Sequence, residues 1–410
     1  MKNIFYIWPH DFRWKNNVLG QRLIMLDSLG VLNVLVRNSK CLPNNLDLNI
    51  NVYAYGISSR VNEYISMITY IIELIWILSF KRLCGYISRQ DIVYTNFEYS
   101  ILVGIWSKQV LGMKWVADFF DDPRRGYYNA SMRKASKFRI LCEKYLLRIS
   151  RSFLKKADLV ICNSPDTERG LAAILIGQFK VEEDKMITVP GGVHEQYIAS
   201  CLNDPTLNQI ASKVLKDNGI EEKNYIYLVG HINSDVSGVS DVLKALRVLL
   251  QEGFPYHLVL AGFCKPRERV WLETAVERMH LSGRVHYLGV VDQPLSYVFM
   301  KRAGFCICPY KTEGRDDYKT AYPIKLLEYL TVGAPTITIQ TPITEQIVND
   351  FGAGELMAVS SESNIVCLIK CLISSGSSGS QVIPPMAYRW ININNTLRMS
   401  LEKYVMGGHS

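Results

Sequence analysis

Residues Tyr322–Ile339 read YPIKLLEYLTVGAPTITI. Pro323 suits the first helical position, Leu326, Leu327 and Leu330 form one apolar side, and Gly333 and Pro335 end the run, which predicts a short helix. The β-branched Thr336–Ile339 then predicts a buried strand. Tyr322, just ahead of the helix, offers no side-chain acceptor of the Ser, Thr or Asp kind to the first free N–H groups. A helix end of this kind, with its dipole, suits a phosphate. Lys325 and Glu328 stand three residues apart on one face, so a cation and a hydroxyl-binding carboxylate would point toward one ligand. The alternative is an exposed ion pair on an ordinary amphipathic helix, worth about 0.3 kcal/mol.

The same alternation of helix and strand runs outward from this segment. Upstream, strands are expected at Tyr225–Val229, His257–Leu260, Val285–Tyr287 and Phe305–Cys308, with helices after Ser240 and Glu268. The first half repeats the pattern with Ile4–Ile7, Leu32–Val36, Ile92–Tyr94, Trp115–Asp118 and Leu159–Cys162, and with helices from about Gln21 and after Ser59. Two series of this kind imply an α/β protein with two Rossmann-like domains, each built on a parallel sheet, and a ligand cleft at the carboxyl ends of the strands. The expected division is 1–190, 191–380 and a C-terminal helix in 381–410 that packs on the first domain. The serine and glycine run Ser374–Ser380 reads as a flexible loop.

The totals exclude several classes. At 410 residues, with 48% hydrophobic and 20% charged residues, the chain is that of a folded protein with room for two domains. A net charge of +8 favours anionic small molecules or a membrane surface over a dedicated nucleic-acid binder. The ten cysteines lack zinc-site spacing and read as reduced, mostly buried thiols of a cytoplasmic protein, with no metal site. The opening MKNIFYIWPH reads as a first strand rather than a secretory signal. The apolar stretch Ile65–Phe80 falls short of the roughly 20 residues a bilayer span needs, so it reads as a buried or membrane-resting helix. From Arg133 to Lys156 nine Lys or Arg residues face one acid, Glu143, with Phe138, Leu141, Tyr145, Leu146, Ile149 and Phe153 between them at helical spacing. This is either a helix resting on anionic lipid or a core-facing helix with a solvated basic face.

PIKLLEYLTVGAPTI resembles the donor-site signature of nucleotide-sugar glycosyltransferases of the GT-B fold, in particular retaining family four, the glycosyl transferases group 1. The resemblance implies that Glu328 holds ribose hydroxyls and that the loop Thr320–Lys325, including Tyr322, Pro323 and Ile324, passes along the diphosphate and the sugar. In the family a second acid stands eight positions earlier; here that position is Thr320, with Glu313, Asp316 and Asp317 in the same loop. Relatives neutralise the diphosphate with an arginine and a lysine after the first strand of the second domain. This chain has Gly230, then His231 near the arginine's place, and no lysine until Lys244. The candidate cations are therefore Lys311, Arg315, Lys319 and Lys325. Backbone around Gly262 and Val290 would hold the base. In the first domain VADFFDDP resembles the family's acidic turn, which makes Asp118 and Asp121 or Asp122 candidates to orient an acceptor hydroxyl; the alternative is a surface turn paired with Arg124 and Arg125.

The resemblance implies a metal-independent, retaining hexosyltransferase without a cofactor. It would move a sugar from a nucleotide diphosphate sugar to a glycan or polyprenyl-linked acceptor in bacterial surface polysaccharide synthesis (O-antigen, capsule or exopolysaccharide). It would act in the cytoplasm, at an anionic membrane surface if the basic helix rests there, and would not use nucleic acid. The rival readings are a noncatalytic GT-B subunit that supports a partner enzyme and a lipid-surface binding protein.

Overall fold

The computed structural model describes residues 2–8, 18–37, 51–55, 63–96, 99–120, 122–124, 126–127, 136–163, 170–312, 319, 322–375 and 383–404. Two compact units emerge. One comprises residues 1–191, 320–322 and 390–410, and the other residues 192–319 and 323–389.

The first unit holds β1 (Asn3–Trp8), β2 (Val31–Arg37), β3 (Asn51–Tyr55), β4 (Ile92–Asn96), β5 (Lys114–Phe119), β6 (Leu159–Cys162) and β7 (Met186–Thr188). Among the described residues they form one seven-stranded sheet in the order β3-β2-β1-β4-β5-β6-β7, parallel throughout. The second unit holds β8 (Tyr225–Val229), β9 (His257–Ala261), β10 (Val285–Tyr287), β11 (Phe305–Cys308), β12 (Thr336–Ile339) and β13 (Glu355–Met357). These six run parallel in the order β10-β9-β8-β11-β12-β13.

Strands of this composition need cover on both faces. In the second unit Ile226, Leu228, Leu258 and Leu260 bury against Val242, Leu246 and Leu249 of the helix Val239–Gln251. On the opposite face the rings of Tyr227 and Phe299 stack at 6.1 Å. Full burial of each such aliphatic side chain is worth about 2 kcal/mol. The order of each sheet reverses once, between β1 and β4 in the first unit and between β8 and β11 in the second. Crevices for ligands open at the carboxyl ends of the strands flanking such reversals.

The expected strands are present, and two strands join them unforeseen: β3 and β13, each at a sheet edge. The stretch Ile65–Phe80 lies within the helix Glu63–Leu83, which buries Tyr70, Leu74 and Leu78 and exposes Ile68, Ile72, Trp76 and Phe80. Among the described residues no helix is long and apolar enough to cross a membrane. The C-terminal helix Trp390–Tyr404 groups with the first unit, where Asn394 donates to Gln21 of the helix Val18–Asp27 at 3.4 Å. Most of the described cysteines are not buried, contrary to expectation. Of the nine described, Cys162, Cys201, Cys306 and Cys308 are buried, and all nine are free thiols. Residues 376–380 of the serine and glycine run lie outside the described residues.

Candidate active site

The signature segment forms the helix Ile324–Val332, with Gly333 in left-handed conformation at its end. Pro323 is the N-cap rather than the first helical residue, because its ψ of 84° is not helical. It provides no side-chain acceptor to the first N–H groups of the helix, of which that of Leu326 donates to the Pro323 carbonyl at 2.9 Å. Lys325 Nζ donates to the carbonyl of Val229 at 2.8 Å and lies 4.3 Å from the centroid of the Tyr310 ring. Val229 ends β8 and Tyr310 follows β11, so this ammonium stands at the reversal point of the second sheet. The region after β8 carries no nearby lysine in sequence, and Lys325 brings an ammonium to the end of β8 from the signature helix.

Glu328, 8% exposed, accepts hydrogen bonds on Oε1 from Gln293 Nε2 at 2.6 Å and from the Tyr297 hydroxyl at 3.1 Å. Both donors come from the helix Gln293–Arg302. Burial raises the carboxyl above its ordinary range, while the bonds from Gln293 and Tyr297 and the Lys325 charge act the other way. Burial first and the Glu328 charge second raise the Tyr297 phenol, which keeps it a donor. Since both bonds fall on Oε1, Oε2 keeps its capacity to accept from a ligand hydroxyl. Gly262 follows β9 with φ +122°, and a Cβ there would lie 1.9 Å from the carbonyl oxygen of Gly230. Only glycine permits this approach of two strand ends. The Gly262 N–H donates to Gly289 O at 2.6 Å; Val290, the next residue, is 71% exposed.

Residues 212–385 match the family described as glycosyl transferases group 1. Over that stretch, which lies almost wholly in its second unit, the chain is similar to that family. Among curated proteins nothing matches. Solved structures share its fold at low identity. Anabaena Alr3699/HepE in complex with UDP-glucose is 15% identical over 98% of this chain and 100% of its own, with a TM-score of 0.70. WaaG, a glycosyltransferase involved in lipopolysaccharide biosynthesis, is 16% identical over 99% and 100%, with a TM-score of 0.65. Sucrose-phosphate synthase of Thermosynechococcus elongatus is 15% identical over 99% and 95%, with a TM-score of 0.64. These likenesses establish the GT-B fold.

The other expected donor residues of this glycosyltransferase fall into three groups. His231 is exposed, with its ring 5.5 Å from that of Phe263. Lys311 pairs with Asp241 at 3.0 Å and reaches Ser240 at 3.3 Å, in the first turn of the helix Val239–Gln251, so its charge is already matched by a carboxylate. Asp241 also has Lys244 at 3.7 Å. Lys319 is exposed, and Tyr322 groups with the first unit, its ring edge-on to Phe120 at 6.1 Å. Glu313, Arg315, Asp316, Asp317, Thr320 and Asp121 lie outside the described residues.

In the first unit Asp118 is 5% exposed at the end of β5 and accepts on Oδ2 from Arg22 Nε at 3.1 Å and from the Tyr94 hydroxyl at 2.5 Å. Arg22 is fully buried and donates onward to Val189 O at 3.1 Å. The Tyr6 and Tyr94 rings stack at 5.1 Å, and Asn96 donates to the Tyr6 hydroxyl at 2.6 Å. Burial, then the Asp118 charge, hold both phenols well above their ordinary range. The acidic turn is not a surface feature: Asp122 is buried and accepts from Arg124 Nε at 3.0 Å and from its terminal nitrogen at 2.7 Å. Arg125 lies outside the described residues.

Sequence reasoning missed Gln293, Tyr297 and Arg22, whose partners lie 35, 31 and 96 positions away. It also missed Asn233, whose Oδ1 accepts the N–H groups of Asp235, Val236 and Ser237 at 3.1, 2.8 and 3.2 Å and shapes the loop after β8. An Asn followed by a polar, serine-containing stretch at a strand end is a turn signal that reveals this loop.

Proposed function

We propose that this glycosyltransferase takes its sugar from a nucleotide diphosphate sugar held by the second unit. The observation that carries the reading is the pairing of Lys325 at the reversal point of the sheet with Glu328 one helical turn later, its carboxylate fixed by Gln293 and Tyr297. Oε2 of Glu328 accepts from the ribose hydroxyls, Lys325 and the uncapped helix end meet the diphosphate, and Gly230 and Gly262 let backbone approach the ligand. Backbone near Val290 borders the base. The complexes of Alr3699/HepE with UDP and with UDP-glucose make a uridine nucleotide the first to test.

In the reaction the bond from the anomeric carbon to the diphosphate oxygen breaks and a bond to the acceptor oxygen forms on the same face. The acceptor's proton passes to the departing phosphate. Lys325 and the helix dipole stabilise the charge that develops there, so the step needs no metal ion. The acceptor is a glycan or polyprenyl-linked hydroxyl on the first unit, and the product belongs to bacterial surface polysaccharide. In this reading Asp118 holds Arg22 and Tyr94 rather than an acceptor hydroxyl. Attachment to the inner face of a membrane is supported by the exposed row Ile68, Ile72, Trp76 and Phe80 and by the basic helix Lys137–Phe153.

Calorimetric titration with a panel of nucleoside diphosphates tests the reading. Glu328→Ala should weaken the best of them at least about tenfold, the loss of charge-assisted bonds from two hydroxyls. Equal affinity of wild type and variant for every nucleotide would overturn it.

A further inference from the structure

In the first unit a cavity of about 560 Å3 is lined by Arg124, Tyr127, Lys144, Arg148, Arg151 and Gln178. We infer that this cavity is a second anion site that binds a phosphate or diphosphate group borne on an amphiphilic ligand. Lys144, Arg148 and Arg151 occupy positions i, i+4 and i+7 of the helix Lys137–Phe153, one above another on a single face. Like charges at this spacing repel, so the fold keeps an arrangement that an anion between them would relieve. Arg151 donates to Gln178 Oε1 at 3.1 Å, which fixes the guanidinium at the rim. Arg124 enters from the turn after β5, held by Asp122.

Among the described residues the nearby acids do not cancel this field. Asp122 matches Arg124 alone, and Glu143 is buried and accepts from the Tyr99 hydroxyl. Arginine forks and a phenol suit the tetrahedral oxygens of a phosphoryl group better than a single carboxylate. The volume exceeds what one phosphate fills and fits a diphosphate with part of its substituent. An apolar substituent is indicated by the same helix. Phe138, Leu141 and Tyr145 are 68%, 52% and 61% exposed, although their spacing predicts a core-facing side. Cations beside exposed apolar side chains form the pattern that meets a phosphate at the head of a lipid. The site stands on the first unit's own residues, is independent of the donor reading, and deepens the membrane attachment proposed for the same helix.

The test uses the whole chain and two probes: inorganic pyrophosphate by calorimetry, and sedimentation with phosphatidylcholine vesicles with and without phosphatidylglycerol. Lys144→Gln/Arg148→Gln alters two exposed residues, and Arg151→Gln serves as a second variant. The expected result is a loss of pyrophosphate affinity of at least about tenfold in the double variant, and a smaller loss in the single one. Glu328→Ala should retain binding at this cavity. Vesicle binding that needs phosphatidylglycerol and falls in the same variants supports the amphiphilic ligand; pyrophosphate binding without vesicle binding supports the anion site and overturns the amphiphilic ligand. Variants that match the wild type with both probes, or a wild type that binds neither, overturn the site.

Discussion

The two sheets share a parallel, doubly wound plan, yet their carboxyl ends are finished in opposite ways. The first is filled: Tyr6, Tyr94, Asn96, Arg22 and Asp118 bond to one another in a buried network. The second is left open: Gly230 and Gly262 remove side chains from the strand ends, and the signature helix brings an uncapped terminus, an ammonium and a half-committed carboxylate. A fold of this kind offers a crevice at each reversal point, and the side chains there decide whether the crevice becomes core or site.

The sharpest way to break this contrast is to remove a charge from the filled end. Asp118→Ala strands the buried Arg22 guanidinium and should cost about 3–5 kcal/mol, read from denaturant unfolding of the first unit. Nucleotide affinity of the protein that remains folded should not change; a selective loss of affinity with stability intact would instead make Asp118 part of the site. At the open end Gly262→Ala meets both a positive φ and the Gly230 carbonyl, and should cost about 2 kcal/mol or more in stability. Its nucleotide affinity should fall with it, measured by the same titration as for Glu328.

Acid should separate the units as well. His257 stacks on His286, its Nδ1 3.0 Å from His286 Nε2, and its Nε2 lies 3.0 Å from Arg284. Burial first, then the Arg284 and His286 charges, push its ring down to about 4. The unfolded chain therefore takes up the proton first as pH falls below about 6.5. Above that value both states are neutral and nothing is lost. Between there and about 4 the second unit should lose roughly 2 kcal/mol, and the loss levels off below. Melting curves across this range check the prediction, and His257→Gln should flatten them. The smallest expected effect is that of Tyr297→Phe, which removes one of two donors to Glu328 and should lower nucleotide affinity a few-fold, about 1 kcal/mol.

The signature helix, its lack of a cap, Lys325 and Glu328 were all legible in one continuous segment, because a helix end and an i, i+3 pair are local properties. The central strands were legible too, since burial on both faces leaves an apolar or β-branched run such as YIYLV or TITI. The edge strand β13, reading ELM, is short and only partly buried, so it leaves no such run.

Sequence by itself determined that two α/β series exist and that one short helix carries Lys325 and Glu328 on the same face. Tertiary structure alone decided that Lys325 lies at the end of β8, that Gln293 and Tyr297 grip Glu328, that Lys311 is matched by Asp241, and that Asp118 belongs to a buried network. The physical reason is range. Helix caps and periodic burial are set by residues a few positions apart. The partner of a buried charge is chosen by desolvation across the whole fold, from whichever strand or helix the topology brings within about 3 Å.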